Sequence, residues 1–228
     1  MTEREKILGR IREALVSPAP GPAMHDTGRE PGLDAVPAAG SRQWLPKVGD
    51  TFAERLELFR KNTAELKARF ELVDSPQALA DRLVALRDTE AWKKVGVHQG
   101  ELTGPAVEVL GLPVCRTDTD YNVADLESCD VGITECDALV AQTGSVLITS
   151  RSAGGRALSV LPPHHVVLAR REQLIADLPE AFSLLKRKYA PDYPSFLSFI
   201  TGPSRTGDIE RILVLGAHGP KKLTILCV

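Results

Sequence analysis

Residues 95–115 read Val95-Gly96-Val97-His98-Gln99-Gly100-Glu101-Leu102-Thr103-Gly104-Pro105-Ala106-Val107-Glu108-Val109-Leu110-Gly111-Leu112-Pro113-Val114-Cys115. Val95–His98 and Pro113–Cys115 are short β-branched runs that read as strands, and Pro105–Leu110 between them reads as a short helix. The pattern repeats upstream. Glu71-Leu72-Val73 is a strand, Ser75 is a capping residue, and Pro76 opens a helix whose buried stripe is Leu79, Leu83 and Leu86. Before it, Phe52, Leu56, Phe59, Thr63 and Leu66 keep helical spacing over residues 50–69, with Asp50 or Thr51 as cap. Strands alternating with helices of this length predict an α/β fold, a mostly parallel sheet covered on both sides.

Downstream the pattern continues. Cys129–Thr134 is a predicted strand ending at Glu135, followed by a short helix over Asp137–Gln142 and a strand over Val146–Thr149. Ala157–Leu161 and His165–Ala169 read as strands joined through Pro162-Pro163. Residues 171–190 read as a helix that buries Leu174, Leu178, Phe182 and Leu185 and carries Lys186, Arg187 and Lys188 in its last turn, where cations suit the helix dipole. His98 ends its strand at the carboxyl edge of the sheet, where open α/β proteins place ligands. Thr117–Tyr121 is acidic and turn-rich, without the regular ligand spacing of a calcium loop, and reads as solvated.

The first 49 residues are different. Residues 3–16 form an amphipathic helical pattern with Ile7, Ile11, Ala14 and Leu15 on one face. From Ser17 to Lys47 six prolines, Pro18, Pro20, Pro22, Pro31, Pro37 and Pro46, erase all periodicity, which predicts an arm. The expected organisation is therefore an N-terminal helix and arm over 1–49 and one α/β domain over 50–228.

The 228 residues carry a formal net charge of −2 with 25% charged residues, which gives no basic face for nucleic acid. No apolar run reaches membrane-spanning length. The opening Met1-Thr2-Glu3-Arg4-Glu5-Lys6 lacks the apolar core of a signal peptide, so a cytoplasmic location is expected. Cys115, Cys129, Cys136 and Cys227 show no Cys-x-x-Cys spacing, so they read as small core residues and no iron–sulfur cluster or metal site is expected in this chain.

The chemistry concentrates near the end. Thr201-Gly202-Pro203-Ser204-Arg205-Thr206-Gly207-Asp208-Ile209-Glu210 and Gly216-Ala217-His218-Gly219-Pro220-Lys221-Lys222 lie between apolar runs. Amides and hydroxyls in such loops supply anion donors, and Arg offers a fixed fork. Gly202, Ser204, Arg205 and Thr206 form the candidate anion site, with Arg205 as clamp. Asp208, Gly219 and Lys221 complete the set, and His218 is a candidate acid or base. The same residues also read as two tight turns with polar caps. Thr143, Gly144 and Ser145 put two hydroxyls at a further junction, although Gly there is also a usual helix stop. Arg151–Arg156 is another Gly-rich basic loop.

Several of these stretches together resemble the lactate-utilization C family, which carries the LUD domain. They are Gly132-Ile133-Thr134, Thr143-Gly144-Ser145, Arg156–His165, Gly202-Pro203-Ser204-Arg205-Thr206 with Asp208-Ile209-Glu210, and Gly216–Pro220. The resemblance runs from about Phe52 to the C-terminus. It implies a three-layer Rossmann-like sheet related to glucosamine-6-phosphate deaminase, ribose-5-phosphate isomerase and CoA-transferase folds. It also implies an accessory or ligand-binding role beside two iron–sulfur partner proteins that oxidise L-lactate to pyruvate. In that reading the loops hold a small carboxylate or an anionic cofactor. Two alternatives stand beside it. One is an independent enzyme on a phosphosugar or acyl-CoA, with Glu135 as base or nucleophile. The other is an assembly module that makes its contacts, including homo-oligomeric ones, through residues 3–47.

Overall fold

The computed structural model describes residues 47–207, 213–215 and 219–228 together with Lys6, and for residues 206–207 and 213–215 the backbone alone. The expected N-terminal helix and arm, and with them Asp208 and His218, lie outside the described residues. Apart from Lys6, everything described belongs to the unit Leu45–Val228.

Helix α1 (Phe52–Glu65) starts where Thr51 and Glu54 cap each other: the Thr51 side chain accepts from the Glu54 amide at 3.3 Å, and the Thr51 amide donates to Glu54 Oε2 at 3.0 Å. Strand β1 (Arg69–Leu72) follows, then α2 (Pro76–Glu90), capped by Ser75 with Pro76 in its first turn. Next come β2 (Val95–Val97), α3 (Thr103–Leu110), β3 (Val114–Arg116), the short α4 (Val123–Glu127) and β4 (Val131–Glu135). Strands β5 (Ala138–Val140) and β6 (Ser145–Thr149) form a hairpin, and β7 (His164–Ala169) and β8 (Leu174–Ile175) follow. The chain closes with α5 (Leu178–Tyr189), β9 (Leu197–Ile200), β10 (Arg205–Gly207), β11 (Leu213–Leu215) and β12 (Lys222–Cys227).

Six strands make one sheet in the order β1-β12-β7-β4-β2-β3, and every pair is parallel. All six residues of β7 are buried at its centre. Alternation along the strands sends Val166 and Leu168 to one face with Leu79, Leu83 and Leu86 of α2. Val167 and Ala169 face the other way, into a core with Phe59 of α1. The α/β class read from residues 71–115 is therefore what the chain adopts.

The second face has an additional cover. Strands β8-β5-β6-β9 form a four-stranded mixed sheet. Leu139, Val146 and Ile148 pack from it into the core shared with β7 and β12, and Ala138, Val140 and Leu147 pack against Ala181 and Leu185 of α5.

Three local expectations change. Asp137–Gln142 is strand β5 and its turn, because an apolar run this short pairs with Ser145–Leu147 more readily than it closes a helix. Ala157–Ser159 is a single 3-10 turn rather than a strand. The helix predicted from residue 171 begins at Leu178, where Asp177 accepts from the Glu180 amide at 2.9 Å, and Leu174 is spent on β8. With that shift Phe182 turns outward, 58% exposed, against Phe199. All four cysteines are buried free thiols. Among the described residues no helix is long and apolar enough to cross a membrane.

Candidate functional site

Strand β9 delivers its end, Ile200-Thr201-Gly202-Pro203-Ser204, to the side of a cleft of about 240 Å³. The opposite wall is Gly219-Pro220 with Leu223 of β12, and His165, Ser159 and Val160 complete the lining. His165 and Leu223 stand in register near the first residues of β7 and β12, so the cleft opens at the amino ends of these strands.

Backbone chemistry holds the two loops together. The Ser204 amide donates to the Pro220 carbonyl at 2.9 Å, and the Lys221 amide donates to the Pro163 carbonyl at 2.8 Å. Gly202 has φ +89°, and a side chain there would bring its Cβ to 2.9 Å from the Leu66 carbonyl, so this corner needs glycine. The Ser145 and Thr201 hydroxyls lie 2.8 Å apart and tie the start of β6 to the same loop. Behind it, Asn62 of α1 donates to the Ala141 and Gln142 carbonyls at 2.8 and 2.9 Å, bracing the turn that carries Thr143 and Gly144. The Thr143 hydroxyl is buried without a hydrogen-bond partner among the described residues.

Arg205 begins β10, and its guanidinium donates to the carbonyl of Leu66, the residue that caps the C-terminus of α1. A cation suits that end of a helix. Arg205 does not line the cleft. Lys221 is exposed beside it, and Thr206 contributes its backbone to the β10–β11 pair. Among its described residues the cleft thus offers hydroxyls and backbone with no charged side chain.

In the sequence His165 opens a predicted strand and ends a longer motif, and the structure gives it a place in the cleft lining. Its side chain is 1% exposed. Nε2 lies 2.9 Å from the Thr134 hydroxyl, and Nδ1 is buried with no partner among the described residues. Burial, reinforced by neighbouring His164, holds its pKa down at about 3, so the ring is neutral at physiological pH. An alternating strand pattern marks such a position as core, and nothing in its local sequence separates it from His164, whose Nε2 meets the Thr224 hydroxyl at 2.9 Å on the other face.

Glu135 and the Arg151–Arg156 loop do not join this cleft. They sit at the carboxyl edge of the sheet, where β2 and β4 end. Glu135 Oε1 accepts from the Leu102 and Thr103 amides at 2.7 and 3.2 Å, at the start of α3. Its own amide donates to His98 Nε2 at 3.2 Å, which leaves Nδ1 of His98 to donate to the Gln99 carbonyl at 3.2 Å. Burial lowers the His98 pKa, and the ring is a neutral tie. Gly154, at φ +60°, lies directly on the His98 side chain, and its carbonyl accepts from the Thr117 hydroxyl at 2.9 Å. The candidate loops therefore lie at two ends of one sheet: a cleft at the amino ends and a hydrogen-bonded brace at the carboxyl ends.

A third polar group lies between the second sheet and α5. Asp137 Oδ1 accepts from Lys188 Nζ at 2.6 Å and from the Tyr189 hydroxyl at 2.5 Å. Burial pushes the Asp137 pKa up, but the two donors outweigh it and hold the carboxyl below its ordinary value. Among the described residues no group of three or more His, Cys, Asp or Glu side chains is placed to hold a metal ion.

Known proteins share this organisation. A solved structure of a DUF162 family protein from Deinococcus radiodurans superposes with TM-score 0.59 over 78% of this chain and 98% of that one, at 23% identity, which speaks to the fold. A Shouchella clausii protein named lactate utilization protein C is 33% identical over 77% of this chain and 79% of its own length. The Bacillus subtilis protein of the same name is 32% identical over 52% of this chain. The matched stretch spans only about half the length of that protein and of its Bacillus licheniformis counterpart. Residues 56–228 match the LUD domain along its run through both sheets and both cleft loops, and the chain belongs to the LUD domain family.

Proposed function

We propose that this chain serves lactate utilization as a ligand-binding subunit that works beside two iron–sulfur partner proteins and holds a small carboxylate in the cleft between Thr201–Ser204 and Gly219–Pro220. The observation that carries the reading is the pairing of that cleft with relatives named for lactate utilization. A cleft of about 240 Å³ whose described lining combines hydroxyls and backbone with the apolar side chains of Val160, Ile200 and Leu223 suits a three-carbon monoanion. A phosphate, with two charges, calls for Arg, Lys or a helix N-terminus. The absence of a charged side chain among the described cleft residues therefore favours the carboxylate over the phosphosugar or acyl-CoA alternative.

In this reading Ser204 and Thr201 supply hydroxyls, Ser145 positions that of Thr201, and the Gly202 and Gly219 segments supply close backbone approach. Electron transfer belongs to the partners. Affinity purification of the tagged full chain from its native cells tests the assignment: two iron-containing, cysteine-rich proteins should co-elute. A chain that elutes alone under gentle conditions, or with unrelated partners, overturns the assembly.

A further inference from the structure

We propose that the free edge of β9 is a homodimer interface: a second copy of this chain pairs its own β9 antiparallel to the first across a two-fold axis at Ser198, joining two four-stranded sheets into one.

The ladder shows which backbone groups are open. Strand β9 is the outer strand of the sheet β8-β5-β6-β9 and pairs only with β6 among the described residues. Bonded and non-bonded pairs alternate along an antiparallel ladder. The Ser150 amide donates to the Phe196 carbonyl at 2.9 Å, so Phe196, Ser198 and Ile200 turn their backbone groups towards β6. Leu197 and Phe199 turn theirs outward, where no backbone group among the described residues meets them. An unpaired edge is a template for another strand unless charge, proline or a bulge discourages it. Leu197-Ser198-Phe199-Ile200 has no charge and no proline, and its register with β6 is unbroken.

The surface beside this edge is complementary to itself. Phe199 packs on the α5 side of the sheet with Ala181 and Leu185. Phe182 of α5 lies against its ring with centroids 5.6 Å apart, yet Phe182 stays 58% exposed. At the other end of the helix the Tyr189 hydroxyl lies 3.2 Å from that of Thr149, which pairs with Leu197. Helix α5 therefore runs antiparallel to β9, with its first turn towards Ile200 and its last towards Leu197. A two-fold axis at Ser198 sets Leu197 opposite the second copy's Phe199 and engages the outward groups of both residues. The same axis brings the acidic first turn of one α5, with Asp177 and Glu180, to the side of the basic last turn of the other, with Lys186 and Arg187. Both copies' Phe182 then face the seam. This charge complementarity holds only for the antiparallel arrangement of like strands, which selects a second copy as the occupant. The pairing also reaches the cleft, because Ile200 and Thr201, the next residues along the chain, line it.

Sedimentation velocity of the full chain, with cysteine cross-linking, tests the interface. The wild type should sediment at twice the 24.7 kDa of one chain across micromolar concentrations. Phe182→Glu, a change at an exposed position, should keep the wild-type circular dichroism and weaken association at least about tenfold by setting like charges together at the seam. All four native cysteines are buried, so an added surface thiol reports cleanly. Ser198→Cys should form a disulfide between copies under mild oxidation, since its two copies face each other across the axis at about 4.5–5.5 Å between Cα atoms. Ser195→Cys should not, because its copies lie about 20 Å apart in this register. A monomeric wild type overturns the proposal, including the case where another segment of the same chain covers the edge. A dimer that survives Phe182→Glu and leaves Ser198→Cys uncross-linked has its interface elsewhere and overturns it equally.

Discussion

Acid should loosen this fold well before its carboxylates titrate. His164 and His165 occupy neighbouring positions of the central strand β7, 4% and 1% exposed. Burial holds His164 down at about 4, with Glu90 raising it and Lys222 and Arg69 lowering it further, and holds His165 down at about 3. Both titrate near 6.5 in an unfolded chain. Below 6.5 the unfolded state therefore binds protons that the folded state refuses. Their stabilising contribution is complete above pH 6.5 and is lost as pH falls towards 4 and then 3. At pH 5 each ring accounts for about 2 kcal/mol, since each pH unit in the window is worth about 1.4 kcal/mol. Together they remove about 4 kcal/mol from a total that is ~5–15 kcal/mol for a domain. Burial shifts His98 in the same direction.

Carboxylates such as Glu71 and Asp137, held low by Arg82 and by Lys188 with Tyr189, act only below their unfolded values near 4, so pH 6.5 to 5 isolates the histidines. Urea unfolding at pH 7, 6 and 5 and constant ionic strength, followed by far-ultraviolet circular dichroism, reads the effect as a falling midpoint at constant slope. His164→Gln keeps a neutral group able to reach Thr224 and should remove about half of the pH dependence. A stability that stays flat from pH 7 to 5, or a slope unchanged in the variant, refutes the argument that burial keeps these rings neutral.

Two further outcomes follow from the geometry. Gly154→Ala places a methyl group inside contact distance of the His98 side chain at a positive φ, so it should cost at least about 2 kcal/mol, read as a lower melting temperature; an unchanged melt refutes the packing described there. Arg205→Lys keeps the charge but loses the planar fork that reaches the Leu66 carbonyl, so thermal stability should drop by about 1 kcal/mol while calorimetric affinity for L-lactate holds; the reverse pattern would make Arg205 a ligand clamp.

The parts of the molecule that were legible in the sequence are those governed by local chemistry. A cap at Asp50 or Thr51, which the structure places on Thr51, the Ser75 cap and the Leu79, Leu83 and Leu86 stripe all follow from spacing and turn residues, and so does the alternation of helix with strand from Phe52 to Arg116. The second sheet was not legible, because β5 exists only through its pairing with β6 and β8, and a three-residue run carries no period of its own. Of the cleft, the loops Thr201–Ser204 and Gly219–Pro220 announced themselves through glycine, proline and hydroxyl content. Their meeting depends on Ser204 reaching Pro220 across a long segment, which no local pattern encodes. His165 was hidden for a different reason: a buried strand residue looks alike in sequence whether or not it borders a cleft.

The electrostatics of this end of the sheet also bear on what kind of work it can do. A general base is most effective when its pKa lies near the working pH, because it must both be free to accept a proton and hold it once accepted. His165, held at about 3, is free at neutral pH but releases any proton it takes. Glu135, at the other edge, spends an oxygen on the Leu102 and Thr103 amides and orients α3. Arg205 spends its guanidinium on the end of α1. Among its described residues the cleft retains neutral hydrogen-bonding groups and apolar side chains, fixed by backbone contacts between two loops, and such a set discriminates by shape and by donor and acceptor pattern. The proposed function draws on this set for recognition of a small oxyacid.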